Sequence, residues 1–349
     1  MVKATIDTLG ASLVRVELLK HKDQDDKSRN VVVLEQSKAH TYLAQSGLVG
    51  SASLQLPTHK TPFTVLTSER ELAEGASELV VKLESAPVNG VKMVKTYAFP
   101  RGAYDVKVRQ EVVNASAGAV SPQLYVQLQR DGTPPKGPAG PAFLQGPVAY
   151  TGMAIYNDKG KYQKADFATI EEGKVEFEKA DNNGWIAMVQ HHFASAWLYT
   201  PALQREFYTQ KVSTNLYATG MLLPFGEVGA GQSKALDTVL FVGPQEEDKL
   251  KELAPGLELV KDYGWLTLLA KPLYWLLDKL HGAHAQPVDF VYVRLGQRCE
   301  QRPAHGYERH AVSLQRGRHD LRSKGIDLLI EASRDIVGVV GNQPFQVML

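Results

Sequence analysis

The sequence predicts a mainly β protein, an antiparallel β-sandwich that ends in short C-terminal helices. Two observations carry that expectation: apolar and polar residues alternate in short runs from the N-terminus to about Gly243, and turn-forming residues punctuate those runs. Successive side chains of a strand face opposite sides, so period two with one polar face marks a half-buried antiparallel strand.

In chain order, Leu79, Val81 and Leu83 form the first clear run, and Asn89-Gly90 after it is a strong type I′ hairpin signal. Tyr104 to Val112 is the cleanest strand, with Tyr104, Val106, Val108 and Val112 alternating with Asp105, Lys107, Arg109 and Glu111. Leu124, Val126 and Leu128 repeat the pattern. Asp131 to Pro147, DGTPPKGPAGPAFLQGP, has too much proline and glycine for a central strand and reads as a long surface loop. Asp158-Lys159-Gly160 and Asp181-Asn182-Asn183-Gly184 are weaker hairpin signals, with alternation around Val175 and Phe177 between them. GWIAMVQHHFASAWL reads as a strand. Gly226, Gly229 and Gly231 read as a hairpin loop before the strand SKALDTVLFVG. Pro244 opens a short helix, EEDKLKEL, with Glu247 four residues before Lys251 and a stop at Pro255-Gly256.

The regular part closes on Asp262 to Gly282, DYGWLTLLAKPLYWLLDKLHG. Read as a helix, Thr267, Lys271, Tyr274 and Asp278 form a narrow polar stripe, and large apolar side chains cover the rest. Spanning takes about 20 apolar residues, and Lys271, Asp278 and Lys279 interrupt this stretch. The segment is therefore expected to lie in a membrane interface, with Trp265, Leu266, Leu269, Leu273, Trp275, Leu276 and Leu280 as the contact residues. Half a dozen such side chains buried at roughly 1.5 to 3 kcal/mol each give a gross gain on the order of 10 kcal/mol before ordering costs. The alternative is a helix buried in the protein's own core. The predicted organisation is a β domain over residues 1–256, an interfacial helix within 257–282 and a divergent tail over 283–349.

Composition narrows the function. A net charge of +1 gives no general attraction to nucleic acid. One cysteine, Cys299, leaves no internal disulfide and no cysteine-based zinc site. The first residues, MVKATIDTLG, lack the regions of a signal peptide, and no run of 18 apolar residues occurs, so the chain as written is expected neither to export itself nor to span a bilayer. No cofactor or metal site is predicted. His191 and His192 are adjacent in an apparent strand, which would point them to opposite faces. The glycines at 226, 229 and 231 precede a strand, whereas a phosphate cradle needs a helix N-terminus. No Walker motif or G-x-S-x-G elbow is present, His281 and His284 lack i, i+4 spacing and a nearby carboxylate ligand, and Asn114-Ala115-Ser116 is a glycosylation sequon of the kind chance supplies.

Several of these segments together resemble a known family. LFVGPQEEDKLKELAPGLELVKDYGWLTLLAKPLYWLLDKLHG resembles the end of the large periplasmic domain of the bacterial YidC membrane protein insertases. HTYLAQSGLVG at His40 to Gly50, KTYAFPRGAYDVKVRQEVVN at Lys95 to Asn114, AYTGMAIYNDKGKYQKADF at Ala149 to Phe167 and GWIAMVQHHFASAW at Gly184 to Trp197 agree in the same order. The resemblance spans about Val2 to Gly282. It implies a periplasmic β-supersandwich of mutarotase-like fold, tethered to the inner membrane, that performs no enzyme chemistry. It also implies a role in inserting and folding inner-membrane proteins, with the lipid surface, nascent membrane proteins, and the Sec translocon and its accessory proteins as partners. In the family, insertion is the work of a hydrophilic groove among five transmembrane helices, which lowers the cost of desolvating polar client segments.

The chain departs from that pattern at both ends. The signal-anchor helix expected before Val2 is not in the sequence, and AHAQPVDFVYVRLGQRCEQRP follows Gly282 where the first groove helix is expected. Asp289, Arg298 and Glu300 forbid a spanning helix there, so the groove arginine is not assigned to Arg294. Up to Gly282 there are 23 lysines and 7 arginines, and beyond it 1 lysine and 8 arginines. With 7 acidic residues against 9 basic ones, that tail carries no strong phosphate footprint. It is either a separate arginine-rich tail or a non-native end such as a shifted reading frame, and the coincidence with the loss of resemblance favours the second. Apart from Ile326 to Ala332, little of it reads as a stable element. Two other functions remain open at this point: a sugar-binding or mutarotase-like protein, which needs a glutamate base such as Glu111 and a histidine acid in one cleft, and an adaptor that binds extended polypeptide along a strand edge.

Overall fold

The computed structural model describes residues 1–51, 54–133 and 150–261, together with the backbone of 345–348. The first half supplies β1 (Val2–Asp7), β2 (Ser12–Lys22), β3 (Asn30–Gln36), β4 (Thr41–Val49), β5 (Phe63–Val65), β6 (Glu78–Ser85), β7 (Val91–Pro100), β8 (Asp105–Asn114) and β9 (Gln123–Asp131). The second half adds β10 (Gly152–Asn157), β11 (Lys161–Ala165), helix α1 (Phe167–Glu171), β12 (Ala180–Asp181), β13 (Trp185–Val189), β14 (Phe193–Leu198), β15 (Arg205–Ser213), β16 (Leu216–Pro224), β17 (Ser233–Pro244), helix α2 (Glu247–Leu253) and β18 (Phe345–Met348). They form two antiparallel sheets. The first runs β12-β15-β16-β9-β4-β3-β2-β1-β18 and the second β11-β10-β13-β14-β17-β8-β7-β6-β5, the layout of an antiparallel sandwich.

The alternation read from the sequence is the alternation of burial. In β8, Val106, Val108 and Val112 are buried while Lys107 and Arg109 are exposed. The β6–β7 turn puts Asn89 and Gly90 at φ 51 and 78°, the pair of positive angles a type I′ turn requires. Asp158-Lys159-Gly160 joins the paired strands β10 and β11. Helix α2 carries the expected Glu247–Lys251 pair at 2.8 Å and is followed by a 3₁₀ turn, Leu257–Val260, whose Leu257 and Val260 are buried in the core.

Four expectations are corrected. Residues 172–179 form no strand: Val175 and Phe177 pack partly buried on the core, but Glu178 N–H donates to the Gln163 side chain rather than into a ladder. Asp181-Asn182-Asn183-Gly184 is not a hairpin, because β12 belongs to the first sheet and β13 to the second. The same holds for the glycines at 226, 229 and 231, which carry the chain from β16 in the first sheet to β17 in the second. Finally, His191 and His192 lie in the bend between β13 and β14 rather than within a strand, and their rings stack with centroids 3.8 Å apart.

Polar side chains cross the interior and tie the sheets together. Lys95 on β7 is fully buried and its Nζ donates to Gly10 O at 2.6 Å and Ser46 O at 2.9 Å. Trp197 on β14 donates through Nε1 to Gln127 O at 3.1 Å. Tyr42 on β4 meets Ser195 Oγ on β14 at 2.5 Å. Ser46, Gln127 and Tyr42 belong to β4 and β9, so these contacts set the two central strands of the first sheet against the second. Asn114 is sealed in a crossover, its Nδ2 donating to Gly118 O and Val228 O and its Oδ1 accepting from Ser116 N–H. The sequon there is a buried structural amide.

Candidate functional site

The outer face of the first sheet carries a groove of about 930 Å³ across β4, β9, β16 and β15. Gln123, Tyr125, Gln127 and Gln129 of β9 run along it, a span of roughly 20 Å at about 3.3 Å per residue. Two tyrosines make its floor, each lying across a glycine that faces it directly on the next strand. Tyr208 faces Gly220, where an added Cβ would come within 2.7 Å of the ring. Tyr125 faces Gly47, where an added Cβ would come within 2.7 Å of the ring and 2.8 Å of Thr58 Cα. Glycine in a strand permits this close approach, and any other residue would lift the ring.

Lying flat, each ring delivers its hydroxyl to the neighbouring element. Tyr208 donates to Gln127 Oε1 at 2.8 Å, and Gln127 Nε2 donates to Gln45 Oε1 at 2.8 Å, so one relay crosses from β15 to β4. Tyr125 Oη accepts from the His59 backbone N–H at 2.9 Å and lies 2.6 Å from His59 Nδ1, closing one end of the groove. Burial pushes the Tyr125 phenol up to about 12 and the Tyr208 phenol higher still. Burial, then the charges of Lys60 and Lys95, push the His59 imidazole down. Each shift favours the neutral form. Among the described residues no Asp or Glu lines the groove, and Lys60 is the one lysine or arginine there.

Outside that relay, the amides of Gln36, Gln123 and Gln210 are neutral donors and acceptors on the groove wall, beside Leu43, Val212, Leu216 and Leu222. The groove suits an extended, uncharged, hydrogen-bonding chain, and among the described residues no carboxylate stands in it. The residues considered from sequence for mutarotase chemistry do not supply one. Glu111 faces Ala235 on β17, whereas Phe193, next to His192, faces Pro244. Nine residues along one strand is roughly 30 Å. Among the described residues no cluster of metal-ligating side chains occurs.

The expected membrane-interface residues, Trp265, Leu266, Leu269, Leu273, Trp275, Leu276 and Leu280, lie outside the described residues, as do the segment Ile326 to Ala332 and residues 134–147 of the loop expected over Asp131 to Pro147, whose first residue closes β9. The described chain before Trp265 ends at Lys261, just after the 3₁₀ turn. Trp185 Nε1 donates to Pro255 O at 3.0 Å, and Leu250, Leu257 and Val260 are fully buried, so residues 250–260 are pinned to the core. Among the described residues no helix is long and apolar enough to cross a membrane.

The groove residues were not singled out by sequence reasoning, although a signal exists. The outward face of β8 is charged, with Lys107, Arg109 and Glu111, whereas that of β9 carries Gln123, Tyr125, Gln127 and Gln129. Amides and a tyrosine in place of charges mark a strand face that is largely buried, as Tyr125, Gln127 and Gln129 are.

Fold and groove together define a class: a two-sheet antiparallel sandwich with a groove of neutral side chains on one sheet face. The chain belongs to the YidC family of membrane protein insertases, its residues 1–276 matching the YidC periplasmic domain. Membrane protein insertase YidC of Aromatoleum aromaticum is 46% identical over 282 residues, 81% of this chain and 50% of that protein. The one from Cupriavidus necator is 48% identical over 281 residues, 80% of this chain and 48% of that protein. The chain thus spans about half the length of the curated relatives it matches. Among solved structures, a galactose mutarotase related enzyme from Lactobacillus acidophilus aligns with a TM-score of 0.40 at 11% identity, covering 69% of this chain and 94% of that one.

Proposed function

We propose that this chain is the periplasmic module of a membrane protein insertase, a non-enzymatic domain at the periplasmic face of the bacterial inner membrane that assists insertion and folding of inner-membrane proteins. The observation that carries the reading is the match of residues 1–276 to the YidC periplasmic domain, with relatives named as membrane protein insertases. The neutral groove between Tyr208 and Tyr125 takes up extended segments of nascent membrane proteins, whose uncharged backbone amides complement its glutamines. Trp265, Leu266, Leu269, Leu273, Trp275, Leu276 and Leu280 hold the module on lipid, with the two tryptophans at the headgroup level. The rest of the sandwich surface is available to the Sec translocon and its accessory proteins.

Liposome flotation tests the membrane part. The full chain is expected to float with phosphatidylethanolamine–phosphatidylglycerol vesicles, and a Trp265→Asp/Trp275→Asp variant to remain at the bottom. Equal flotation of the two proteins removes the membrane role from this segment.

A further inference from the structure

Among the described residues, β5, β11, β12 and β18 are the outermost strands of the two sheets. Three of them are built in ways that discourage pairing. β5 has three residues, β12 has two, and β11 carries Lys161 and Lys164 in five residues. Short strands and lysines are the usual protections of a sheet edge. β1 is different: it has six residues, VKATID, with one lysine and no proline. Its outer edge is taken by β18, antiparallel, with Lys3, Ala4, Thr5 and Ile6 facing Met348, Val347, Gln346 and Phe345.

The strand seated there comes from an unexpected part of the chain. β18 lies beyond the residues matched by the YidC periplasmic domain and in the region where lysine gives way to arginine. A segment foreign to the family domain nevertheless completes the ladder. Main-chain hydrogen bonds supply affinity in strand addition whatever the side chains are. We infer that the outer edge of β1 is a strand-acceptor site that reads polypeptide backbone: it binds an extended segment antiparallel over Lys3 to Ile6, and residues 345–348 occupy it in cis. The occupant is an extended polypeptide segment. The site lies on a sheet edge, separate from the groove on the sheet face, and does not depend on the groove's function.

A Gln346→Pro/Val347→Pro variant of the full chain tests this. Two neighbouring positions are changed because only one of two successive N–H groups in a strand points at its neighbour. The substitutions lie in a terminal strand, and circular dichroism verifies that the sandwich is retained. The probe is a dye-labelled peptide of residues 343–349, followed by fluorescence anisotropy. A tethered strand competes at an effective concentration in the millimolar range, so the variant is expected to bind at least about tenfold more tightly than the unmodified chain. An unrelated heptapeptide of alternating threonine and valine binds the variant within about threefold of the first, because the backbone is what is read. The same peptide with proline at 346 and 347 does not bind. Equal binding by variant and unmodified chain, or none by either, overturns the acceptor site. Binding confined to the 343–349 sequence overturns backbone reading.

Discussion

Lys95→Met converts a buried amine into a measurable pH dependence. Lys95 lies at the centre of the sandwich, bonded to two carbonyls and, among the described residues, to no carboxylate. Burial pushes its amine from 10.5 down to about 7. Between those values the unfolded chain holds the proton and the native one does not, so stability rises with pH. The cost is fully present below pH 7 and fades as pH approaches 10.5. A gap of that size is worth on the order of 5 kcal/mol at about 1.4 kcal/mol per pH unit, of which about 2 kcal/mol is recovered between pH 7 and pH 9. Methionine removes the titration, and it leaves Gly10 O and Ser46 O without a donor at about 1–3 kcal/mol each, independent of pH. The two effects nearly cancel at pH 7. Urea unfolding followed by tryptophan fluorescence is therefore expected to give similar stabilities at pH 7 and an advantage of about 2 kcal/mol for the native lysine at pH 9. His59, the nearby titrating group whose imidazole the Lys95 charge lowers, is already neutral over that range. A difference between the two proteins that stays constant or shrinks from pH 7 to pH 9 refutes the reasoning.

Gly220→Ala is expected to displace Tyr208 and break its bond to Gln127, destabilising the protein by about 1–3 kcal/mol. Ultraviolet titration checks it independently, since the raised Tyr208 phenol should return toward the ordinary tyrosine range. Asn114→Ala strips donors from buried carbonyls at both crossovers and should lower unfolding free energy by about 3 kcal/mol in urea titrations. The same change at Asn89 loses one exposed bond to Gln55 O and puts alanine at φ 51°, and should cost about 1–2 kcal/mol.

Strands that alternate cleanly, such as Tyr104 to Val112, were legible because one face meets the core and the other meets water. The Asn89-Gly90 turn was legible because few residues accept two positive φ angles. Connections were harder to read. Asp181 to Gly184 and the glycines at 226, 229 and 231 have hairpin composition, yet they change sheets, because turn residues report local backbone angles and not which strands pair. Val175 and Phe177 alternate without a ladder since their side chains cap the core while their backbone bonds elsewhere. His191 and His192 were misplaced by continuing a strand through a bend. The groove escaped for another reason: it exists only where Gly220 and Gly47 come to lie opposite Tyr208 and Tyr125, and cross-strand register is not written in any one segment. The family, in contrast, was legible from motif order alone.

Contact between the groove and nascent membrane proteins is the proposed role that a crosslinking experiment reads directly. A photoreactive amino acid at Gln210, exposed at the groove, and another at Lys107, exposed on the opposite sheet, test it with ribosome-bound chains of an inner-membrane protein. Crosslinks to the nascent chain from position 210 and none above background from position 107 are predicted. Equal yields from both positions, or none from position 210, would contradict the central claim.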